Sequence, residues 1–176
     1  AAHVIGDGLG GHSLNQALPN RLSQVSERDR SLLQQLCYGT LRQAPRLQAI
    51  LGQLLEKSLR DKDRDLQALL LCGLYQLEGT RMPDHAAVGA TVDATRVLKK
   101  HWAKGVVNAI LRRYLRERAQ LTQSLEPAAA ASHPPWLFHK ITRQWPSFAA
   151  VIMEANNQQP PMTLRVNDRR HSRPDY

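Results

Sequence analysis

The residues of this chain best suited to chemistry are cations. Eight Lys or Arg (Arg96, Lys99, Lys100, Lys104, Arg112, Arg113, Arg116, Arg118) fall within residues 96–118 against the single acid Glu117, so this stretch holds seven of the nine net positive charges. A concentrated positive field draws in polyanions, and guanidinium forks match phosphate oxygens, so nucleic acid or an anionic membrane surface is the partner class the charge selects. The alternative is a solvated helix face bound to nothing. Trp102, set between Lys100-His101 and Lys104, either stacks on a base while its neighbours hold phosphates or closes one end of the core. Lys99, Lys100, Trp102, Lys104, Arg112, Arg113 and Arg116 are therefore the candidate nucleic-acid contacts, with no acid expected to neutralise the outward arginines.

Other residue patterns give no catalytic, cofactor or metal site. Gly6-Asp7-Gly8-Leu9-Gly10-Gly11 fits the spacing G-x-G-x-x-G, which in a dinucleotide site brings backbone close to a pyrophosphate at a helix start. Only five residues precede it and no βαβ unit follows, so it reads as a flexible glycine loop between helices. Cys37 and Cys72 lie among leucines, without the cation, base or helix start that would activate a thiol, and read as core. The seven histidines form no H-E-x-x-H or i,i+4 pair, and His85, His101 and His133 read as loop or cap residues. Asp84 reads as a helix-start residue rather than half of a carboxylate pair with Asp93.

The elements that must position the basic run are helices. Of the 176 residues, 42% are hydrophobic and 22% charged, enough for one domain and the start of a second. The longest apolar run, residues 68–75, is far short of the roughly 20 residues that span a bilayer. Apolar residues recur at helical spacing almost throughout, predicting an all-α fold. Ser26-Glu27-Arg28-Asp29 reads as a capping box opening a helix with Leu32, Leu33, Leu36, Cys37 and Leu41 on one face. Pro45 marks a break, and Leu47, Ile50, Leu51, Leu54 and Leu55 form the next stripe. The balanced charges of residues 56–65 read as a solvated connection. Residues 66–77 are apolar nearly all round, predicting a central buried helix ended by Gly79. Pro83 suits the start of a helix lined by Ala87, Val88, Thr91, Val92, Thr95 and Leu98. In the helix after the basic linker, Val106, Val107, Ile110, Leu111, Tyr114 and Leu115 share one side, leaving Arg112, Arg113 and Arg116 to solvent. Leu36, Leu70, Leu74 and Ile110 are predicted core.

After Glu126, Pro127 with four alanines and Ser132-His133-Pro134-Pro135 cannot continue the helix, and the stretch reads as an interdomain linker. The division expected is 1–127 and 128–176. Trp136, Leu137, Ile141 and Trp145 predict a short amphipathic helix, and Pro146 is expected to open another. Thr163-Leu164-Arg165-Val166-Asn167 alternates as the one strand candidate.

Several stretches together resemble the N-terminal part of the RsmB (Sun/Fmu) family of bacterial small-subunit ribosomal RNA cytosine-5 methyltransferases. They are Leu36-Cys37-Tyr38-Gly39-Thr40-Leu41-Arg42, Gly73-Leu74-Tyr75-Gln76-Leu77, residues 83–87, Lys104-Gly105-Val106-Val107-Asn108-Ala109-Ile110-Leu111-Arg112, His133-Pro134-Pro135-Trp136-Leu137 and residues 154–162. The first unit is also similar to NusB, an all-helical RNA-binding antitermination factor. The resemblance implies a NusB-like bundle over 1–127 that helps hold small-subunit ribosomal RNA. It also implies a short helical linker and the truncated start of a methyltransferase domain over 128–176. The parent enzyme would be cytoplasmic and use S-adenosylmethionine, with a catalytic cysteine beyond this sequence attacking C6 of a cytosine. Neither Cys37 nor Cys72 matches a catalytic motif of the family, so this chain is expected to be non-catalytic, without cofactor or metal, and protein partners stay open. A basic helix precedes this region in the family, so the chain is expected to begin inside it, with residues 1–5 as its end. The alternatives are a free-standing NusB-like antitermination factor without chemistry and a purely structural domain.

Overall fold

Helix α5, Arg64–Gly79, lies at the centre because its sequence leaves it no polar face: Leu66, Leu69, Leu70, Leu71, Cys72, Leu74, Tyr75 and Leu77 are all buried. The structure is a computed structural model that describes residues 1–161, 163–167, 169, 170 and 172. The described elements are helical: α1 (Ala2–Leu9), α2 (Leu14–Leu22), α3 (Glu27–Arg42), α4 (Ala44–Leu54), α5, α6 (Asp84–Val97), α7 (Lys104–Gln123), α8 (Pro127–Ala130), α9 (Pro135–Gln144) and α10 (Ala149–Asn157). Two 3-10 turns, Asp61–Asp63 and His101–Ala103, precede α5 and α7. No helix among the described residues is long and apolar enough to cross a membrane.

Opposite sides of α5 feed two apolar clusters. The larger joins it to α4, α6 and α7 through Leu47, Ile50, Leu70, Leu74, Val88, Val107, Ile110 and Leu111. The smaller joins Ala68 and Cys72 to Val4 and Ile5 of α1, Leu18 of α2 and Leu33 and Cys37 of α3. Close approach is set by glycine: a Cβ on Gly73 would lie 2.9 Å from Thr91 Cγ2 and 3.2 Å from Leu111 Cδ2. Buried polar groups in this layer find partners, Gln76 Nε2 donating to the Cys72 carbonyl at 3.2 Å and to Thr91 Oγ1 at 3.4 Å.

Several expectations change. The glycine stretch is not a loop: Gly6 and Gly8 lie inside α1, where a Cβ on Gly8 would meet Leu41 Cδ1 at 2.6 Å, and only Gly11, at φ 93°, supplies the left-handed turn that ends the helix. Ser26 does open α3, but its hydroxyl donates to Asp29 Oδ2 instead of capping the backbone. Leu36 is only partly buried between the two clusters, Leu32 is exposed, and Val106 faces out of α7. Residues 163–167 form no strand, since each described element is helical and an isolated extended segment has no neighbour for its backbone groups. Pro146 lies in a turn ahead of α10, which begins at Ala149.

The segment read as a linker is packed. Ser132 adopts φ 57° and closes α8 with paired bonds, Ser132 N–H to the Ala129 carbonyl and His133 N–H to the Ala128 carbonyl, both 2.9 Å. Its hydroxyl donates to the Arg42 carbonyl, 3.3 Å away at the end of α3. Buried His133 is held by Ala131 O at Nδ1 and by Asn156 Nδ2 at Nε2, and Asn157 Nδ2 donates to Ala131 O at 2.8 Å. These bonds tie α10 to the first unit. A third small cluster, Ile141, Ala149 and Met153, joins α9 to α10 and leaves Trp136 and Trp145 exposed.

Candidate nucleic-acid interface

The corner between α6 and α7 begins with a chain reversal that glycine usually makes. Lys99 sits at φ 57°, its N–H bonding the Arg96 carbonyl at 3.0 Å while the Lys100 N–H bonds the Thr95 carbonyl at 2.9 Å, the two-bond ending of a helix whose outer residue is left-handed. A side chain in that conformation costs about 1–2 kcal/mol relative to the right-handed region. The reversal sends two consecutive lysines in different directions. Lys99 is exposed, and its ammonium has no ion-pair or hydrogen-bond partner among the described residues. Lys100 turns inward, where Nζ donates to Asp63 Oδ1 and lies 3.1 Å from Asp65 Oδ1. The hydrogen bond from Lys100 holds the Asp63 carboxyl below its ordinary value and raises the lysine above its own. The "solvated connection" of residues 56–65 is therefore an anchor for this corner, which charge balance alone could not reveal because the partners are 37 and 35 residues apart in sequence.

The 3-10 turn that follows is pinned by fully buried Ala103, and this presents Trp102 outward at 63% exposure. Trp102 closes no core. Helix α7 then starts at Lys104 with no acid in its first turn, so the lysine adds to the partial positive charge of the helix start. Lys104, Asn108, Arg112 and Arg116 follow one another at four-residue steps, each rising about 6 Å along the helix. Lys104, Arg112 and Arg116 are exposed, and Asn108 Oδ1 accepts from Arg112 Nε at 3.0 Å, orienting that guanidinium.

Arg113 departs from the expectation that no acid neutralises the arginines. Its Nε donates to Glu117 Oε2 at 2.8 Å and Nη1 to the Leu54 carbonyl at 3.3 Å, which ties α7 to the end of α4. The i,i+4 spacing of Arg113 and Glu117 was the available signal for this pair. Arg118 lies over the Tyr114 ring, 5.9 Å from its centroid. Behind it, Arg46 forks onto both carboxylate oxygens of Glu78 at 3.1 and 3.2 Å, and Tyr114 Oη donates to Glu78 Oε1 at 2.7 Å. Burial first and the Glu78 contact second push the Tyr114 phenol up. This set braces α4, α5 and α7 under the basic stripe, and nothing in the periodicity of the sequence pointed to it.

The candidate residues thus separate into an outer group with unpaired charge or an exposed ring (Lys99, Trp102, Lys104, Arg112, Arg116) and two inner cations already engaged (Lys100, Arg113). Cys37 and Cys72 are buried; burial raises the first thiol and pushes the second up to about 11, so neither is poised as a thiolate nucleophile.

Residues 6–116 match the NusB family, and residues 133–176 match the methyltransferase RsmF/B-like, ferredoxin-like domain. Among curated relatives, the chain is similar to ribosomal RNA small subunit methyltransferase B of Pseudomonas putida, 51% identical over 166 residues, covering 93% of this chain and 38% of the relative. It is 43% identical to the protein of that name from Pectobacterium carotovorum over 178 residues, 100% of this chain and 42% of the relative. The match to the Vibrio cholerae protein is 45% over 170 residues, 94% and 39% respectively. The chain spans about two fifths of the length of these relatives.

Proposed function

The chain belongs to the NusB family, and from that membership together with the methyltransferase-domain match of residues 133–176 and the similarity to ribosomal RNA small subunit methyltransferase B we infer that it is the RNA-binding N-terminal region of a small-subunit ribosomal RNA cytosine-5 methyltransferase acting in the cytoplasm. The observation that carries this reading is the outer group at the α6–α7 corner: three exposed cations in register along α7, with Lys99 and an exposed indole beside them. Such a surface grips phosphates and stacks one base, contributing affinity and orientation while the target base is read elsewhere. Lys100 and Arg113 serve it from behind, holding the corner and the helix in place. The match of residues 133–176 to a methyltransferase domain favours this over a free-standing antitermination factor.

The reaction this reading implies transfers a methyl group from S-adenosylmethionine. The glycine-rich stretch does not fit that cofactor, because Gly6 and Gly8 are enclosed within α1 against Ala68 and Leu41 and offer no open backbone cradle. No step of the methyl transfer is assigned to residues of this chain.

The test is binding of the chain to a small-subunit ribosomal RNA hairpin and to a scrambled hairpin at several salt concentrations. Replacing Arg112 and Arg116 together by Gln is expected to weaken both and flatten the dependence of log affinity on log salt by about 0.7–0.9 per lost phosphate contact. Unchanged affinity with a folded variant would remove this surface from the RNA-binding reading.

A further inference from the structure

On another side of the molecule, a cleft of about 680 Å³ opens along the outer face of α3, between that helix, Tyr75 of α5 and the segment that follows α10. Its size lies within the range of small-molecule sites, about 300–1,000 Å³. One wall is built at distance. The hydrogen bonds of Ser132 to Arg42 and of Asn156 and Asn157 to His133 and Ala131 carry the end of α10 to α3, which brings Gln159 across from Gln34 and Gln35.

The floor is Tyr75, and the sequence makes room for it. A Cβ on Gly39 would lie 2.0 Å from Tyr75 Cζ and 2.1 Å from Oη, so only glycine lets the phenol tip rest on the α3 backbone within the cleft. The Tyr75 side chain is largely buried, but its hydroxyl is open to the cleft and makes no hydrogen bond with any described residue. The remaining lining is selective in kind: among the described residues Arg42 is the one charged side chain, without an acid opposite it, and Tyr38 is 40% exposed.

We propose that this cleft holds one unpaired nucleotide of the RNA bound by the basic corner. The three glutamine amides, each both donor and acceptor, match a base edge; the Tyr38 ring supplies a stacking face, Arg42 meets a phosphate, and the accessible Tyr75 hydroxyl bonds the base or sugar. Among the described residues, a carboxylate-free lining with one guanidinium that has no ion-pair partner fits an anionic chain. The proposal rests on the RNA-binding reading above and adds a second, single-strand-selective contact to it.

The experiment uses the full chain with a short fluorescein-labelled oligouridine, a blunt RNA duplex of equal length, and a 4-thiouridine version of the oligonucleotide for cross-linking. Tyr38→Ala is expected to weaken single-strand binding by about tenfold, as loss of one base stack does. Tyr75→Phe, which keeps the packing over Gly39 and removes only the hydroxyl, is expected to weaken it by about fivefold. Both variants are expected to bind duplex like the parent, and the cross-link to map to residues 34–42 or 159. Single-strand affinity unchanged in both variants, or a cross-link confined to Trp102 and α7, would overturn the cleft while leaving the basic corner standing. Failure of the parent chain to bind either RNA would overturn both.

Discussion

Replacing Lys104 by glutamate separates folding from RNA binding at the α6–α7 corner, because the two should move in opposite directions. Lys104 is the exposed first residue of α7, whose first turn contains no acid. A cation there opposes the partial positive charge of the helix start and an anion complements it, each by about 0.3–1 kcal/mol at low ionic strength. Because the site is exposed, the lower half of each range applies, and reversal of sign gains about 1 kcal/mol in total. For a chain of this length that raises Tm by about 2–4 °C. The same substitution deletes one phosphate contact and sets a negative charge beside RNA, so affinity falls and the salt slope loses about 0.7–0.9. Thermal unfolding by circular dichroism, at low and then high salt, reads the first effect; fluorescence anisotropy with a ribosomal RNA hairpin reads the second. The gain in Tm should shrink as salt screens it. A Tm that falls or stays constant at low salt refutes the electrostatic account of the helix start. Unaltered RNA affinity removes Lys104 from the interface even if Tm rises.

Lys99→Gly keeps the two-bond ending of α6 and relieves the left-handed side chain; after the entropy glycine adds to the unfolded chain, it should gain about 0.5–1 kcal/mol, seen as a higher denaturation midpoint. A loss of stability would show that the lysine stem packs on the corner. For Asp63, the Lys100 contact depresses the folded-state carboxyl, so its stabilisation is present above the ordinary carboxylate range and lost as pH falls through the depressed value. The Tm difference between the parent and Asp63→Asn should therefore narrow as pH drops through and below that range, and a gap independent of pH contradicts the ion pair. Gly73→Ala sets two effects against each other: alanine favours the helix by about 1 kcal/mol, but its Cβ meets Thr91 Cγ2 at 2.9 Å and Leu111 Cδ2 at 3.2 Å. Thr91 is β-branched and buried, so it cannot swing away, and overpacking of about 1–3 kcal/mol should win. Chemical denaturation reads the sign.

The central helix was legible because an apolar circumference needs no knowledge of the neighbours: Leu66, Leu70 and Leu74 are buried whichever way α5 is turned. The basic stripe was legible for the same reason in reverse, since Arg112 and Arg116 lie opposite the Val107, Ile110 and Leu111 face. What could not be read depends on tertiary approach. Lys99 and Lys100 are adjacent and chemically alike, yet one left-handed residue separates a cation with no ion-pair partner among the described residues from one held against Asp63 and Asp65. The glycine pattern of residues 6–11 misled for a related cause: propensity assigns such a run to a loop, whereas Gly6 and Gly8 serve as small faces that let α1 lie against Ala68 and Leu41. The composition change after Glu126 follows the end of α7 at Gln123, but linker composition says nothing of Ser132 and Asn157, whose hydrogen bonds fix that segment to α3 and α10 to it. The Tyr75 cleft was invisible altogether, because it needs Gly39, Tyr75 and Gln159 from three separate parts of the chain.

A solvated basic face and a phosphate-binding one have the same composition, and they differ in what the fold tolerates to display the charge. A face with no partner has no reason to retain a lysine in the left-handed region, a second lysine at the positive start of a helix, and a largely exposed tryptophan between them. Each is unfavourable for folding, through backbone sterics, helix electrostatics and exposed apolar area respectively. All three occur within six consecutive residues, and the inward Lys100 among them is fixed by two carboxylates, so the corner is held firmly in an arrangement that stability alone would not select. An anionic ligand reverses the balance at each point: it offsets the charge at the helix start, occupies the lysine that the left-handed turn projects, and covers the indole.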